Sequence, residues 1–418
     1  MSGEILLSAT PLGRRAALIE DGAVSAFMIE SALRPSRVGD LHLGRVARVA
    51  PALGGGFVAL GDGAGEGWLE SATSLAPGQS VMVQIMSDAR GAKGPRLGLA
   101  TSDAADAARD VVSDAADAAR DVVSGAADAA RDAAWPAIEA ACRAGGEPRR
   151  LWSTGGLLGR LLRDHVGRET RLVIDDKATF EQTRRLAEAR VPAFAACLEL
   201  ADGELDLFER HDAQGVFEAA RAPLVPFEGG RLVIESTEAL TAIDIDVFGA
   251  SPADLARRAV GVSAVEIRRR NLGGLIVLDP PRFKAAKARA ALIEALRAGL
   301  DTDRAIHHVH GVSAAGLIEL TRQRIGESIE EALSESAGPG APRTPRLDAL
   351  GHDLLLGARR AVRAGARRLV IRAAPALLGV IDAAPGLAGD GLARWLCRGI
   401  ERRPEPDRAP SRFEIEAL

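Results

Sequence analysis

GGRLVIESTEALTAIDIDVFGASPADLARRAVGVSAVEIRRRNLGGLIVLD, running from Gly229 to Asp279, decides how this chain folds. Gly230 to Ser236 reads as a strand, and STEALTAIDID reads as a second one that ends at Asp246. PADLARRAVGVSAVEIRRR then carries helical periodicity and leads to an apolar run, Leu272 to Asp279, suited to a buried strand. Downstream, RFKAAKARAALIEALRAGL and AAGLIELTRQRIGESIEEALSE both read as amphipathic helices. A Gly/Pro-rich linker, residues 337–345, separates these from a last α/β module over residues 346–418.

Upstream, Glu4 to Ala9, Arg15 to Glu20 and Ala23 to Glu30 alternate as strands, with Asp21-Gly22 as a hairpin turn, so a sheet begins the fold in residues 1–38. Residues 39–100 hold five short strands punctuated by glycine-rich turns, the pattern of a small closed barrel of the OB type. Three near-copies of an 11-residue unit, SDAADAARDVV, SDAADAARDVV and SGAADAARDAA, run from Ser102 to Ala134. An 11-residue period favours a long helix with a slowly drifting face, so 101–134 is expected to be a helical insertion, with a disordered tract as the competing reading. Residues 135–336 mix helices (Ala137 to Ala144, Thr179 to Ala189) with strands such as RLVID and LELAD.

The chain of 418 residues, 47% hydrophobic, suffices for several folded domains. It has no apolar run of membrane length and no secretory leader pattern, so a cytoplasmic protein without membrane contact is expected. Cys142, Cys197 and Cys397 are far apart and show no CxxC spacing, which argues against a zinc site or a disulfide framework. The net charge of −4 is unevenly spread: the repeats carry eight Asp against three Arg, a net of −5, leaving +1 for the remaining 385 residues. Basic clusters at Arg268 to Arg270, at Arg359, Arg360 and Arg363, and at Arg367, Arg368 and Arg372 are, taken alone, more often solvated faces than binding sites. No nucleophilic triad, Walker loop or dinucleotide fingerprint is present. His307, His308 and His310 are expected on a strand, with His308 and His310 sharing the face opposite His307, placed for surface or phosphate contact rather than metal binding.

Two apolar strands that close on aspartates, at Asp246 and Asp279, place short carboxylates at a sheet edge. Without histidine or cysteine partners they suit a hard, oxygen-loving cation such as magnesium. Aspartates close many strands, so this constellation alone leaves a purely structural role open.

Three runs, GGRLVIESTEALTAIDID (Gly229 to Asp246), RRRNLGGLIVLD (Arg268 to Asp279) and SAAGLIELTRQR (Ser313 to Arg324), resemble in order the signature blocks of the ribonuclease E/G catalytic region. VGDLHLGRVARVAPALGGGFVALGDGAGEGWLE resembles that family's S1 domain, and LWSTGGLLGRLLRDHVGRETRLVIDD with LFERHDAQGVFE resembles its intervening sections. The resemblance implies an α+β multidomain fold. An S1 barrel is inserted in a catalytic region with subdomains like RNase H and deoxyribonuclease I, and a small C-terminal α/β module follows. It also implies an endoribonuclease that hydrolyses single-stranded RNA with magnesium, or manganese in its place, in RNA processing or decay, leaving a 5′-phosphate and a 3′-hydroxyl. By the same resemblance Asp244 and Asp279 are the metal ligands, and Asp246 stands where the family has an asparagine beside the metal. Phe57 and Trp68 stand at base-stacking positions and Lys93 at a basic RNA contact.

The chain also departs from the family. SESAGPGAP replaces the CPxCxG zinc link, so no zinc is expected, and a homodimer, if formed, is not clasped by it. The Arg-Thr pair that holds a 5′-monophosphate has no counterpart before Trp135, an FNTN-like block is missing between Asp244 and Leu272, and Arg282 replaces the second aspartate of DFIDM. The altered surroundings of Asp279 keep an alternative in play, a catalytically inactive RNA-binding protein on the same scaffold. A structural protein built around the repeats is a third reading with little beyond low complexity behind it.

Overall fold

A computed structural model describes residues 3–70, 72–91, 93–100, 134–165, 170–201, 206–338 and 341–418. The expected helical insertion at 101–134 lies outside these residues apart from Ala134. The chain divides into two compact units, one of residues 35–170 with 181–197, the other of residues 1–34, 171–180 and 198–418.

In the first unit, strands Leu41–Ala50, Gly55–Ala59, Glu66–Leu69, Ser80–Ser87 and Arg96–Leu99 form a barrel. It closes because Leu41–Ala50 pairs with Gly55–Ala59 along one edge and with Ser80–Ser87 along the other. Inward alternation stacks Val46, Val58, Leu60, Leu69, Val83, Ile85 and Leu97 into its core. Five closed strands agree with the expected OB-type barrel, and a sixth, Arg149–Trp152, extends Leu41–Ala50 on the outside.

The second unit contains three main sheets. The N-terminal hairpins Gly3–Thr10, Gly13–Glu20 and Ala23–Ser31 join Thr170–Ile174 and Leu198–Leu200 in a five-stranded sheet. Its core gathers Leu6, Phe27, Val173, Phe208 and Phe217. The six-stranded sheet runs in the order Leu224–Phe227, Gly230–Ser236, Leu240–Val247, Gly274–Asp279, Ile318–Arg322, His307–Val312. Only its central pair, Leu240–Val247 with Gly274–Asp279, is parallel. Helix Pro252–Arg269 makes the crossover between them: Pro starts it, Asp254 lies in its first turn, and Arg268 and Arg269 lie in its last turn, matching its macrodipole. Its stripe of Ala256, Ala259, Val260, Ala264 and Ile267, with Leu292, Leu296 and Leu300 of helix Ala286–Leu300, packs on Ile234, Ile243, Ile276, Leu278 and Leu320. Both helices therefore cover one face of the sheet.

Two expectations are corrected. AAGLIELTRQRIGESIEEALSE is not one helix: Ile318–Arg322 is a strand and only Ile329–Leu333 is helical. Ile318, Leu320 and Arg322 are buried in alternation, and the run pairs antiparallel with Gly274–Leu278, so tertiary pairing overrides helix propensity. A capping box of Ser328 and Glu331 starts the short helix. The Gly/Pro segment is also not wholly extended linker, because Arg343–Pro345 pairs with Ser334–Ser336 as a small hairpin.

The C-terminal module packs helix Leu347–Arg363 against a three-stranded sheet centred on Arg368–Ala373, with Leu12 of the first hairpin in the same core. Polar ties reinforce that packing: Asp175 accepts from Ser8, from the Ala9 N–H and from both terminal nitrogens of Arg359. Thr10 hydrogen-bonds His352 Nδ1 at 2.7 Å, while His352 Nε2 is buried without a partner. Among the described residues no helix is long and apolar enough to cross a membrane.

Candidate functional site

The sheet face opposite the two helices is open, and strand periodicity decides what it displays. Along Leu240–Val247, Thr241, Ile243 and Ile245 point into the core, which turns Ala242, Asp244 and Asp246 outward. Along Gly274–Asp279, Ile276 and Leu278 are buried and Asp279 is exposed. The parallel register aligns Asp244 directly with Asp279. Neighbouring strands lie about 4.8 Å apart, so the two carboxylates are side by side at the end of the parallel pair. Neither has a cationic partner among the described residues.

Asp246 is on the same face one step further along, but its charge is engaged. Arg231 Nε donates to Asp246 Oδ2 at 2.8 Å from the register-matched position of Gly230–Ser236. The structure thus brings Asp244 and Asp279 together and sets Asp246 apart in an ion pair. Among the described residues no group of three or more His, Cys, Asp or Glu is arranged to hold a metal. The donor set on offer is two carboxylates, which fits magnesium, a cation that keeps most of its waters. Two adjacent unneutralised carboxylates repel one another, and a divalent cation would relieve that repulsion.

Further polar side chains share the open face and were missed in the sequence. Glu319 lies opposite Val277 and Thr321 opposite Leu275, so both face outward beside the Asp279 strand. The signal was the alternation in LIELTR, hidden by reading it as helix. His308 and His310 do share a face, with ring centroids 4.9 Å apart, and His310 Nε2 pairs with Thr321 Oγ1. His307 turns the other way and uses Nδ1 on the Ala305 carbonyl.

On the barrel, Phe57 and Trp68 are register partners, and their rings meet edge to face with centroids 5.1 Å apart. Gly55 makes room for this arrangement, since a Cβ there would come within 2.5 Å of the indole. Lys93 sits in an exposed turn closed by two backbone bonds with Arg90. The same segment reaches the Trp68 strand, where Pro95 O accepts from the Trp68 N–H. Sequence reasoning missed Arg48, whose guanidinium lies 4.0 Å from the centre of the Phe57 ring. A β-bulge between Val46 and Arg48 shifts the strand's phase and sets Arg48 opposite Phe57.

A family model described as "Ribonuclease E/G family" matches residues 113–325, a span that contains Asp244, Asp246 and Asp279. The chain is 27% identical over 406 residues to ribonuclease G of Escherichia coli strain K12, covering 80% of this chain and 82% of the relative. It is 25% identical to ribonuclease G of Haemophilus influenzae, over 79% of this chain and 82% of the relative. A shorter likeness, 31% identical over 222 residues, is to ribonuclease E of Escherichia coli, covering 49% of this chain and 21% of that protein. With half of its length matched by the family model and both aspartate-bearing strands inside that match, the chain belongs to the ribonuclease E/G family.

Proposed function

We propose that this chain is an endoribonuclease that hydrolyses single-stranded RNA with magnesium at Asp244 and Asp279, in RNA processing or decay in the cytoplasm. The observation that carries the reading is the in-register pair of exposed, unneutralised carboxylates at the end of the only parallel strands in the six-stranded sheet. The names of the relatives, ribonuclease G and ribonuclease E, point to the same chemistry. In this reading the six-stranded sheet is the subdomain like deoxyribonuclease I, the N-terminal five-stranded sheet is the one like RNase H, and the barrel is the S1 domain.

Asp244 and Asp279 are the residues that would hold the cation. A magnesium ion bound there supplies Lewis-acid stabilisation of the charge that builds on the phosphoryl oxygens. In the reaction a water oxygen bonds to phosphorus, the bond from phosphorus to the 3′ oxygen breaks, and a proton passes to that oxygen. The products are a 5′-phosphate and a 3′-hydroxyl. Asp246, tied to Arg231, helps to place that guanidinium on the face where the phosphate backbone runs. Phe57 and Trp68 offer sequence-tolerant stacking surfaces, and Lys93 with Arg48 adds positive charge beside them.

The second reading, an RNA-binding protein without catalysis, is favoured by one observation, the Arg231–Asp246 ion pair where the family has a neutral asparagine. A 5′-labelled single-stranded RNA incubated with magnesium, manganese or EDTA separates the two. Cleavage that needs the metal supports the nuclease; binding without cleavage in either metal establishes the inactive scaffold.

A further inference from the structure

A cavity of about 400 Å³ opens immediately beyond Asp279, between the loop Pro280–Phe283 and the turn Val312–Gly316. Its volume lies within the ~300–1,000 Å³ usual for small-ligand sites. Phe283, Leu292 and Val312 give it an apolar wall. The Ser313 hydroxyl is buried and has no hydrogen-bond partner. The Arg282 side chain runs along Gly316, close enough that a Cβ there would lie 3.8 Å from its Cγ. Gly316 also has φ +92°, a conformation that favours glycine.

The charge of this region is unbalanced. Arg282, Lys284, Lys287 and Arg289 follow Asp279 within ten residues, and none has a carboxylate partner among the described residues. Arg289 instead donates to the carbonyls of Phe283 and Lys284 at 3.0 and 2.7 Å, which braces the loop that carries Arg282. The N-terminus of helix Ala286–Leu300 has no side-chain cap, which adds a further bias toward anions. An unsatisfied buried hydroxyl, a guanidinium without a carboxylate partner among the described residues and an apolar wall in one cavity match the three parts of a nucleotide: sugar hydroxyl, phosphate and base.

We propose that this cavity is a nucleotide subsite, with a phosphate on Arg282, a sugar or base polar atom on Ser313, and the base against Phe283 and Val312. This rests on the nuclease reading, in which the subsite holds the residue next to the bond that is cut. It also gives a reason for an arginine at position 282, where the family has an aspartate: the chain replaces a repulsive charge beside the backbone with an attractive one.

The full chain in EDTA is titrated with uridine 5′-monophosphate and, separately, with a short single-stranded RNA, while the methyl resonances of Val312 and Leu292 are followed. Saturable shifts with the RNA alone assign the site to a phosphate within a chain, and equal shifts with the mononucleotide assign it to a free nucleotide. In either case Arg282→Ala is expected to weaken binding about tenfold, the order expected on losing one charge-assisted hydrogen bond. It is also expected to lower the salt dependence by about one phosphate contact. Ala315→Trp, which fills the cavity without altering charge, abolishes the shifts, and melting curves show whether that variant folds. Absence of shifts with both ligands, or shifts that persist in folded Arg282→Ala and Ala315→Trp, overturns the proposal. Cleavage without these shifts would leave the nuclease standing, and these shifts without cleavage would leave the subsite standing.

Discussion

Replacing Asp279 by Asn keeps the side chain's shape and removes one of the two charges that face each other in register. In a water-like medium two carboxylates about 5 Å apart repel by roughly 0.8 kcal/mol, so without metal the variant should be slightly more stable than the parent. A carboxylate and a divalent cation about 2.1 Å apart attract by roughly 4 kcal/mol in the same medium. Losing that attraction should weaken magnesium binding by up to about a thousandfold, at about 1.4 kcal/mol per decade. The assay is a pair of melting curves, one in EDTA and one in excess magnesium. The parent gains stability with magnesium because the cation binds only the folded state, whereas Asp279→Asn melts slightly higher in EDTA and gains little from magnesium. Asp244→Asn should behave alike, and the double variant should cut RNA scarcely worse than either single, since the two act as a unit. If both single variants keep the magnesium-induced gain and cut RNA as the parent does, the metal lies elsewhere.

On the barrel, Phe57→Ala or Trp68→Ala should weaken RNA binding by roughly 1–3 kcal/mol each in a filter or anisotropy assay; a fall in melting temperature with unchanged affinity would make them core residues instead. Burial, with Arg15 and Arg359 nearby, pushes His352 well below its ordinary 6.5. The unfolded chain therefore takes up a proton at this position that the folded chain refuses, and stability should fall as pH drops below about 6.5, by up to about 1.4 kcal/mol per pH unit. His352→Gln should flatten the melting temperature measured between pH 6.5 and 5, and an unchanged slope would assign that loss to other groups. Deleting Ser102 to Ala134 and rejoining the ends with a short flexible linker should leave a folded protein with RNA cleavage intact, and cleavage lost from a folded deletion would make the repeats part of the machinery.

Much of this architecture was legible because the strands alternate cleanly. The three N-terminal strands, the barrel strands and the strand that carries Asp246 follow from alternation and turn residues, Leu272 to Asp279 follows from its apolar run, and Asp244 was singled out only by the family resemblance. GLIELTRQRIGESIEEALSE was misread because its apolar residues also fit helical spacing, and only the pairing partner Gly274–Leu278 decides between the two. The internal boundary was nonetheless written in the sequence as the capping box at Ser328 and Glu331. Arg48 was invisible for a different reason: a bulge inverts which side of the strand it occupies, and single-sequence periodicity cannot register an inserted phase shift. The Arg231–Asp246 pair depends on register between two strands, which turn chemistry sets and composition does not reveal.

The tie between Ser8 and Asp175 spans 167 residues of sequence. During synthesis the opening hairpins therefore leave the ribosome long before the strand that completes their sheet. At about 5–20 residues per second that wait is roughly ten to thirty seconds. Residues 35–170, the bulk of the other compact unit, are made during the interval, while Gly3–Thr10, paired with Gly13–Glu20 along one edge, still lacks Thr170–Ile174 on the other. The nascent chain thus presents an apolar, unpaired edge for the time it takes to make an entire domain, a window in which chaperones that cap exposed strands would decide the yield of active protein.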